Sequence, residues 1–247
     1  MNRILFEKSE ITEGLATFGG ERAAHVLDVL HGEVGQTLKT GEVDGLIGTS
    51  EIVAIGRDEA TGERTVSVKV DHNCESLRPW VDLVLAPPRP RVLKRLLPQL
   101  TAMGVGRIVL VGARKVEKDF WGATLLKPEI YRPLLVEGLM QSGTSILPEI
   151  VLRRGFRKFL SEELDAMFPS RRRIVAHPYG ADGAPEQVCE ATDDGRLLLA
   201  VGPEGGWTDE EVALLESHGF SRYSLGGRIL RTDTALIALL AKLDFVV

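Results

Sequence analysis

Short apolar stretches that alternate with polar residues and are separated by glycines mark the N-terminal part of the chain. The stretch Thr-Val-Ser-Val-Lys-Val at residues 65–70 alternates strictly, which predicts a strand with one buried face. The same region contains two more strand candidates and one helix, at residues 3–6, 47–55 and 21–30. In the helix, Ala23, Leu27 and Leu30 are expected to share the buried face. A series of short strands punctuated by glycine predicts a small β-barrel.

The pattern changes after residue 79 to apolar strands that alternate with helical segments. Strands are predicted at residues 81–86, 107–111, 174–176 and 197–201, with helices at 92–103 and 128–140 between them. The last strand, Leu-Leu-Leu-Ala-Val, is apolar throughout and therefore suits a position buried on both faces. This alternation predicts an α/β domain with a parallel sheet covered by helices. The polar segment 71–79 is the expected boundary, so the predicted domains are residues 1–75 and 76–247.

Composition fits a globular protein and argues against several classes. Of the 247 residues, 44% are hydrophobic and 26% are charged, and no apolar stretch approaches the roughly 20 residues that span a bilayer. The first residues lack the basic and apolar segments of a signal peptide. Cys74 and Cys189 lie far apart and form no metal-binding pair, which indicates free thiols in a reducing compartment. We therefore expect a cytoplasmic protein without a metal.

The net charge of −5 does not by itself indicate a nucleic-acid-binding protein. Local clusters of basic residues matter more than the sum, because each cation neutralises its own phosphate. Three such clusters occur: Arg89, Arg91, Lys94 and Arg95; Arg153, Arg154, Arg157 and Lys158; and Arg171, Arg172 and Arg173. The sequence leaves open whether they bind nucleic acid or form solvated surface.

A glycine-rich loop follows the predicted strand at 197–201. It reads Gly-Pro-Glu-Gly-Gly at residues 202–206, and Thr208 with Glu211 forms a capping box that predicts a helix to about Gly219. A flexible loop between a buried strand and a helix N-terminus can bind a ligand through its backbone amides. It has neither the Lys-Ser/Thr of a phosphate-binding loop nor the dinucleotide-binding spacing. A purely structural turn remains the alternative.

A second loop of this kind follows at residues 224–235. A strand is expected to end at Leu225, two glycines turn the chain, and a helix begins near Thr232. That helix spaces four leucines along one face: Leu236, Leu239, Leu240 and Leu243. If the strands before the two loops are adjacent in one parallel sheet, both loops meet at its carboxyl edge, where such sheets bind ligands.

The two loops together resemble a known signature. Gly-Pro-Glu-Gly-Gly at 202–206, followed by Leu-Gly-Gly-Arg-Ile-Leu-Arg-Thr-Asp-Thr-Ala at 225–235, is similar to the SPOUT methyltransferases, and within them to the 16S rRNA uridine-N3 methyltransferase family (the RsmE type). Further segments fall in the family's order at residues 3–6, 25–30, 141–143 and 147–150. The resemblance implies an N-terminal PUA-like barrel that binds RNA and a C-terminal sheet tied into a trefoil knot. It also implies S-adenosylmethionine as cofactor, ribosomal RNA or the small ribosomal subunit as partner, and a homodimer.

The resemblance carries a set of cofactor-binding residues onto this sequence. They are His177, Pro178, Gly202, Pro203, Glu204, Gly205, Gly206, Leu225, Gly226, Ile229, Leu230, Arg231, Thr232, Thr234 and Ala235. Methylation at N3 needs the uridine to lose its imide proton, which a general base or a cation beside the developing anion would favour. Arg231 is the candidate for that cation. Glu204 is a candidate for either a polar contact or the base.

The sequence departs from the family pattern on the RNA side more than in the cofactor loops. The resemblance implies basic or acidic residues at five positions that differ here: Asp28, Gln99, Ala102, Met140 and Thr144. Within the cofactor loops the change is the mild one of Glu to Asp233. Two alternatives to a uridine methyltransferase therefore stay open: an enzyme of the same fold that modifies another RNA nucleotide, and a non-catalytic RNA-binding or ribosome-assembly protein.

Overall fold

The computed structural model describes residues 2–169, 172–179 and 196–244. The chain divides into two compact units, one of Met1–Leu77 with Val136–Leu147 and the other of Arg78–Leu135 with Pro148–Val247. Residues 136–147 fall in the second domain of the sequence-based division, whereas in the structure they belong to the first unit. The reason is contact with the N-terminal strand: Asn2 N donates to Met140 O at 2.9 Å, and Leu5 clusters with Leu139 and Met140.

The first unit is built on a six-stranded sheet. Its strands are β1 (Ile4–Phe6), β2 (Ile11–Thr12), β3 (Leu15–Phe18), β4 (Thr37–Glu42), β5 (Ile47–Arg57) and β6 (Arg64–Cys74). Their order is β1-β4-β5-β6-β3-β2, in which β1 and β4 are parallel and the other neighbours are antiparallel. Buried Phe6, Phe18, Val26 and Ile52 belong to its core. The glycine-punctuated strands of the sequence are thus present, together with β2, β3 and β4, which the alternation pattern missed.

The helix predicted at residues 21–30 is present, but its second half is π-helical. Helix α1 (Gly20–Ala24) gives way to a π-helical turn at His25–Val29, in which Leu30 N donates to His25 O at 3.1 Å. The wider turn changes the helical spacing, so Val26 is buried while Leu30 is 43% exposed. Ala23 and Val26 are buried and Leu27 packs against the same core, whereas Leu30 does not belong to the buried face.

The second unit contains a six-stranded, fully parallel sheet, which confirms the α/β prediction. The strands are β7 (Val81–Leu85), β8 (Val105–Val111), β9 (Glu149–Arg153), β10 (Arg172–Ala176), β11 (Leu197–Val201) and β12 (Ser221–Tyr223), in the order β12-β10-β11-β7-β8-β9. Every residue of the central strands β7 and β11 is buried. The expectation that residues 197–201 are covered on both faces is therefore confirmed.

Helices connect these strands. They are α2 (Pro90–Ala102), α3 (Pro128–Ser142), α4 (Phe156–Glu162), α5 (Leu164–Met167), α6 (Asp209–Ser217) and α7 (Thr232–Asp244). Helix α2 begins with Pro90 at its first turn, where a missing N–H costs nothing, and continues past Pro98. The four leucines predicted to share a face of α7 are all buried.

Three expectations concern single features. Cys74 is a free, exposed thiol, while Cys189 and Arg171 lie outside the described residues. In the described part of the chain, no helix has the length and apolarity needed to cross a membrane. Those same residues hold no group of three or more His, Cys, Asp or Glu placed to bind a metal ion.

Candidate functional site: a pocket formed by three loops

Three loops meet at the carboxyl edge of the parallel sheet. They follow β10, β11 and β12, and together they line a cavity of about 410 Å³. The strands before the two glycine loops, β11 and β12, are not neighbours as the sequence predicts, because β10 lies between them. His177 and Pro178, which follow β10, therefore form a third wall of the cavity at the same sheet edge. We call this cavity the three-loop pocket.

The structure brings together nearly all of the residues that the sequence singled out. Each of them lines the three-loop pocket except Arg231 and Thr234, which are exposed and outside its lining. Their neighbours Thr232 and Ala235 do line it. Helix α7 begins at Thr232, so Thr232 and Ala235, three residues apart, share the face toward the cavity, whereas Thr234 lies on another face.

The loop at residues 202–206 approaches its surroundings so closely that glycine is required. A Cβ on Gly202 would lie 2.9 Å from Trp207 N, a backbone atom that cannot move aside. Gly206 has a φ of +69°, a left-handed conformation that side chains disfavour, and its N–H donates to Pro203 O at 2.8 Å. The result is a tight turn whose backbone forms the pocket wall.

The capping box at Thr208 and Glu211 connects this loop to the loop that follows β8. Glu211 Oε2 accepts from Thr208 N at 2.9 Å, and Thr208 Oγ1 accepts from Glu211 N at 3.3 Å, as the sequence predicted. Glu211 Oε1 also accepts from Arg114 N at 2.7 Å. One buried carboxylate therefore starts helix α6 and fixes the chain that follows β8.

Glu204 is held by the backbone of a neighbouring helix. Its Oε1 accepts from the N–H of Arg89 at 2.9 Å, and Arg89 is the residue immediately before helix α2. A carboxylate at a helix N-terminus satisfies an unpaired amide and interacts favourably with the helix dipole. Of the two roles that the sequence left open for Glu204, the structure thus shows a polar contact to backbone.

Lys115 lines the pocket and was missed by the sequence analysis. Its Nζ donates to Gly205 O at 2.8 Å, and a Cβ on Gly205 would lie 2.9 Å from Lys115 Cδ. The signal that could have found it is its position just past the end of β8, at the same sheet edge as the three loops. Lys115 places a positive charge at the wall of the three-loop pocket, where Arg231 had been expected.

Two buried donors at the pocket have no partner. Trp207 Nε1 and Tyr223 Oη are shielded from solvent and form no hydrogen bond with the described residues, and both residues line the cavity. Trp207 is fixed by stacking on Phe156, with ring centroids 5.2 Å apart. Buried polar groups are normally hydrogen-bonded, so unpaired donors beside a cavity are available to a ligand.

Six residues of the basic clusters form ion pairs with acidic neighbours in the described part of the chain. The pairs are Arg89–Glu117 (3.1 Å), Arg95–Asp233 (3.5 Å), Arg153–Glu163 (2.5 Å), Arg157–Glu210 (3.4 Å) and Lys158–Glu162 (3.8 Å). Arg173 pairs with Asp165 at 2.7 Å. Such exposed pairs stabilise the fold little, but each partly cancels a charge that could attract a phosphate.

Comparison with known proteins agrees with this geometry. The model of the RNA methyltransferase domain family matches residues 75–244. Ribosomal RNA small subunit methyltransferase E from Treponema pallidum is 31% identical over 243 residues, which cover 96% of this chain and 88% of the relative. The protein of the same name from Bacillus subtilis is 25% identical over 99% of this chain and 96% of its own length.

Two solved structures share the fold along nearly the whole chain. A ribosomal RNA small subunit methyltransferase E from Neisseria gonorrhoeae, bound to S-adenosylmethionine, superposes with a TM-score of 0.74 at 20% identity and covers 100% of this chain and 98% of its own. A protein of Legionella pneumophila described as a methyltransferase, in complex with the same cofactor, gives a TM-score of 0.72 at 24% identity, over 99% and 97% of the two chains.

Proposed function

The chain belongs to the RNA methyltransferase family, among relatives named ribosomal RNA small subunit methyltransferase E, and from this premise we propose that it transfers a methyl group from S-adenosylmethionine to N3 of a uridine in small-subunit (16S) ribosomal RNA. The observation that carries the proposal is the three-loop pocket. Its cradle of glycine backbone lies at the carboxyl edge of the sheet, within the residues that match the family.

The pocket suits S-adenosylmethionine in size and chemistry. A cavity of about 410 Å³ is within the range that binds small molecules. The backbone at residues 202–206 and the segment 225–235 would hold the cofactor, with His177 and Pro178 as the third wall. The unpaired donors of Trp207 and Tyr223 are available to its polar groups. When bound, the cofactor supplies a methyl group on a positively charged sulfur.

The protein's own task is to hold the acceptor in line with that methyl group and to favour the uridine anion. The N3 proton leaves to solvent, and a cation near the base lowers the energy of the negative charge that remains. Lys115 is our candidate for this cation because it lines the pocket, and Arg231 remains a second candidate. Glu204 is engaged with the Arg89 amide, so we assign it the positioning of the cofactor loop against helix α2.

We extend the proposal to the whole molecule. The second unit would carry a trefoil knot, the first unit would form a PUA-like barrel that binds RNA, and the protein would act as a cytoplasmic homodimer without a metal. The six-stranded sheet of the first unit and the parallel sheet of the second support this view.

An enzyme that modifies a different nucleotide of the same RNA is favoured by one observation. Asp28, where the resemblance implies a basic residue, binds Arg64 through both carboxylate oxygens at 2.7 and 2.5 Å. An acidic residue thus stands where the family has a basic one. It also pairs with Arg64, whose charge is then less able to attract a phosphate. The grip on RNA can therefore differ from that of other members.

The decisive experiment supplies labelled S-adenosylmethionine and small ribosomal subunits from a strain that lacks the protein. Mass spectrometry of the digested RNA should find the label in 3-methyluridine. Label in another nucleoside of the small subunit would establish the alternative. If the protein binds the cofactor but the small-subunit RNA gains no label, the proposal is wrong.

A further inference from the structure

A second cavity, of about 590 Å³, lies entirely within the first unit. We call it the N-terminal cavity. Its wall is formed by the start of β1, the π-helical turn, residues 36–39 around the start of β4, and the end of helix α3. Its volume is in the range of small-molecule sites. None of its residues takes part in the three-loop pocket.

The N-terminal cavity is positively charged. Arg3 and Lys39 line it, and its lining contains no Asp or Glu. The Arg3 guanidinium donates to three carbonyls: Nε to Gly143 O at 2.9 Å, and Nη1 to Thr40 O at 2.6 Å and to Gly48 O at 2.8 Å. Burial lowers the pKa of Arg3, which reflects the cost of a charge in this setting. An anionic ligand would compensate both cations.

The rest of the wall offers the other contacts that a nucleotide needs. His25 lines the cavity, and its Nε2 is shielded from solvent and has no hydrogen-bond partner among the described residues. Asn2 and Gln36 contribute amides, and the exposed side chain of Leu30 contributes an apolar surface. Unpaired bases are recognised by hydrogen bonds to their polar edges and by stacking on flat side chains, of which the His25 ring is one in this lining.

The charge distribution of the two units favours this cavity as a phosphate site. Many of the arginines and lysines in the basic clusters of the second unit are paired with acidic residues, whereas the cations of the N-terminal cavity have no carboxylate beside them in its lining. We propose that the N-terminal cavity binds one unpaired nucleotide of the substrate RNA, with its phosphate at Lys39 and Arg3. This proposal rests on the proposed function for the identity of the ligand as RNA.

The test is a binding titration of the full-length protein with a fluorescently end-labelled decauridylate, followed by anisotropy. Lys39→Glu reverses an exposed charge in the cavity. Gln36→Glu adds a charge yet keeps the carbonyl-type oxygen that accepts from Glu33 N at 3.1 Å, so the fold is preserved. Lys8→Glu is the matched control, because Lys8 is an exposed lysine of the same unit outside the cavity. Cofactor affinity, measured by calorimetry, reports whether each variant is folded.

Each cavity variant should bind the oligonucleotide about tenfold more weakly, and the dependence of log affinity on log salt should become shallower by about 0.7 for each lost phosphate contact. Lys8→Glu should stay within about twofold of the parent protein on the same electrostatic argument. If both cavity variants bind RNA like the control while they still bind cofactor, the cavity is not an RNA site. That result leaves methyl transfer intact, whereas failure of the proposed function would appear as missing methylation with the cavity effect unchanged.

Discussion

At the scale of single residues, the placement of Lys115 and Glu204 changes the candidates for two roles in the three-loop pocket. The sequence suggested Arg231 as the cation and allowed Glu204 as a base. In the structure Lys115 lines the pocket, Arg231 does not, and Glu204 accepts a backbone hydrogen bond from Arg89. The positive charge near the reacting uridine would then come from Lys115, in the loop after β8, which is not one of the two glycine-rich loops.

Lys115→Ala should lower the turnover number by about 10–100-fold while changing cofactor affinity much less, because its charge is needed mainly when the uridine becomes anionic. Single-turnover methylation and calorimetry measure the two quantities. Lys118→Ala, an exposed lysine nearby that does not line the pocket, is the control. Should Arg231→Ala reproduce the loss and Lys115→Ala not, the cation is Arg231.

Gly202→Ala should weaken S-adenosylmethionine binding at least tenfold. The added Cβ would lie 2.9 Å from Trp207 N, so the loop backbone must shift and the pocket wall with it. Gly122→Ala is the matched control, since a Cβ there meets nothing within 4 Å. Calorimetry at equal protein concentration, with circular dichroism to check folding, measures the effect. A folded Gly202→Ala protein with unchanged affinity would place the cofactor elsewhere.

At the scale of elements, the sequence predicts those whose pattern is local. The strand at residues 65–70 and the leucine face of α7 follow from periodicity, and the strand at 197–201 follows from its unbroken apolar run. The capping box at Thr208 is equally local. The two glycine loops can also be predicted, because their glycines lie close together in the sequence.

What could not be predicted depends on tertiary contacts. The position of β10 between β11 and β12 is a matter of strand order, which no local pattern encodes. The π-helical turn at His25–Val29 is selected by packing of Val26 in the core, against the helical spacing of the sequence. Lys115 reaches the pocket only because β8 ends at the same sheet edge.

Glu204→Ala should lower the free energy of unfolding by about 1 kcal/mol, because helix α2 loses the acceptor at its N-terminus. Glu204→Gln keeps an oxygen acceptor and should recover most of this loss. Urea titrations of the two variants measure the difference. The same pair separates the roles of Glu204 in methylation: a base would be lost in both variants, whereas a positioning group is rescued by glutamine.

The sheet of the first unit contains a buried polar cluster that makes stability depend on pH. Thr40 Oγ1 lies 2.6 Å from Ser50 Oγ and 2.9 Å from His72 Nε2. Burial lowers the pKa of His72 from its usual value of 6.5, with a further lowering by Arg3 against an opposing effect of Glu42. The folded protein therefore holds His72 neutral where the unfolded chain would bind a proton.

This stabilisation is fully present above pH 6.5 and is lost as the pH falls through the lowered pKa of folded His72. His72→Gln should therefore flatten the decline in unfolding free energy between neutral and mildly acidic pH. His31→Asn, at an exposed residue with a φ of +51° that asparagine tolerates, is the control and should keep the decline. An identical pH profile for parent and His72→Gln would show that another group is responsible.

At the scale of the whole molecule, the net charge is −5, and many basic residues in the clusters of the second unit are in ion pairs with acidic neighbours. A homodimer would bind RNA more tightly than a monomer, because it presents each cationic site twice to one substrate molecule. Light scattering at micromolar concentration should give twice the mass of the chain. A monomeric mass with full methylation activity would contradict the proposed homodimer.

The assignment of residues 136–147 to the first unit also governs how the protein is made. A chain growing from its N-terminus has all six strands of the first sheet once residue 74 has emerged, but Leu139 and Met140, which pack on Leu5, are still to be translated. At about 5–20 residues per second, residues 78–147 take about 4–14 s. During that interval the apolar surface around Leu5 lacks its contacts with Leu139 and Met140. Completion of the first unit is thereby timed by synthesis of the second.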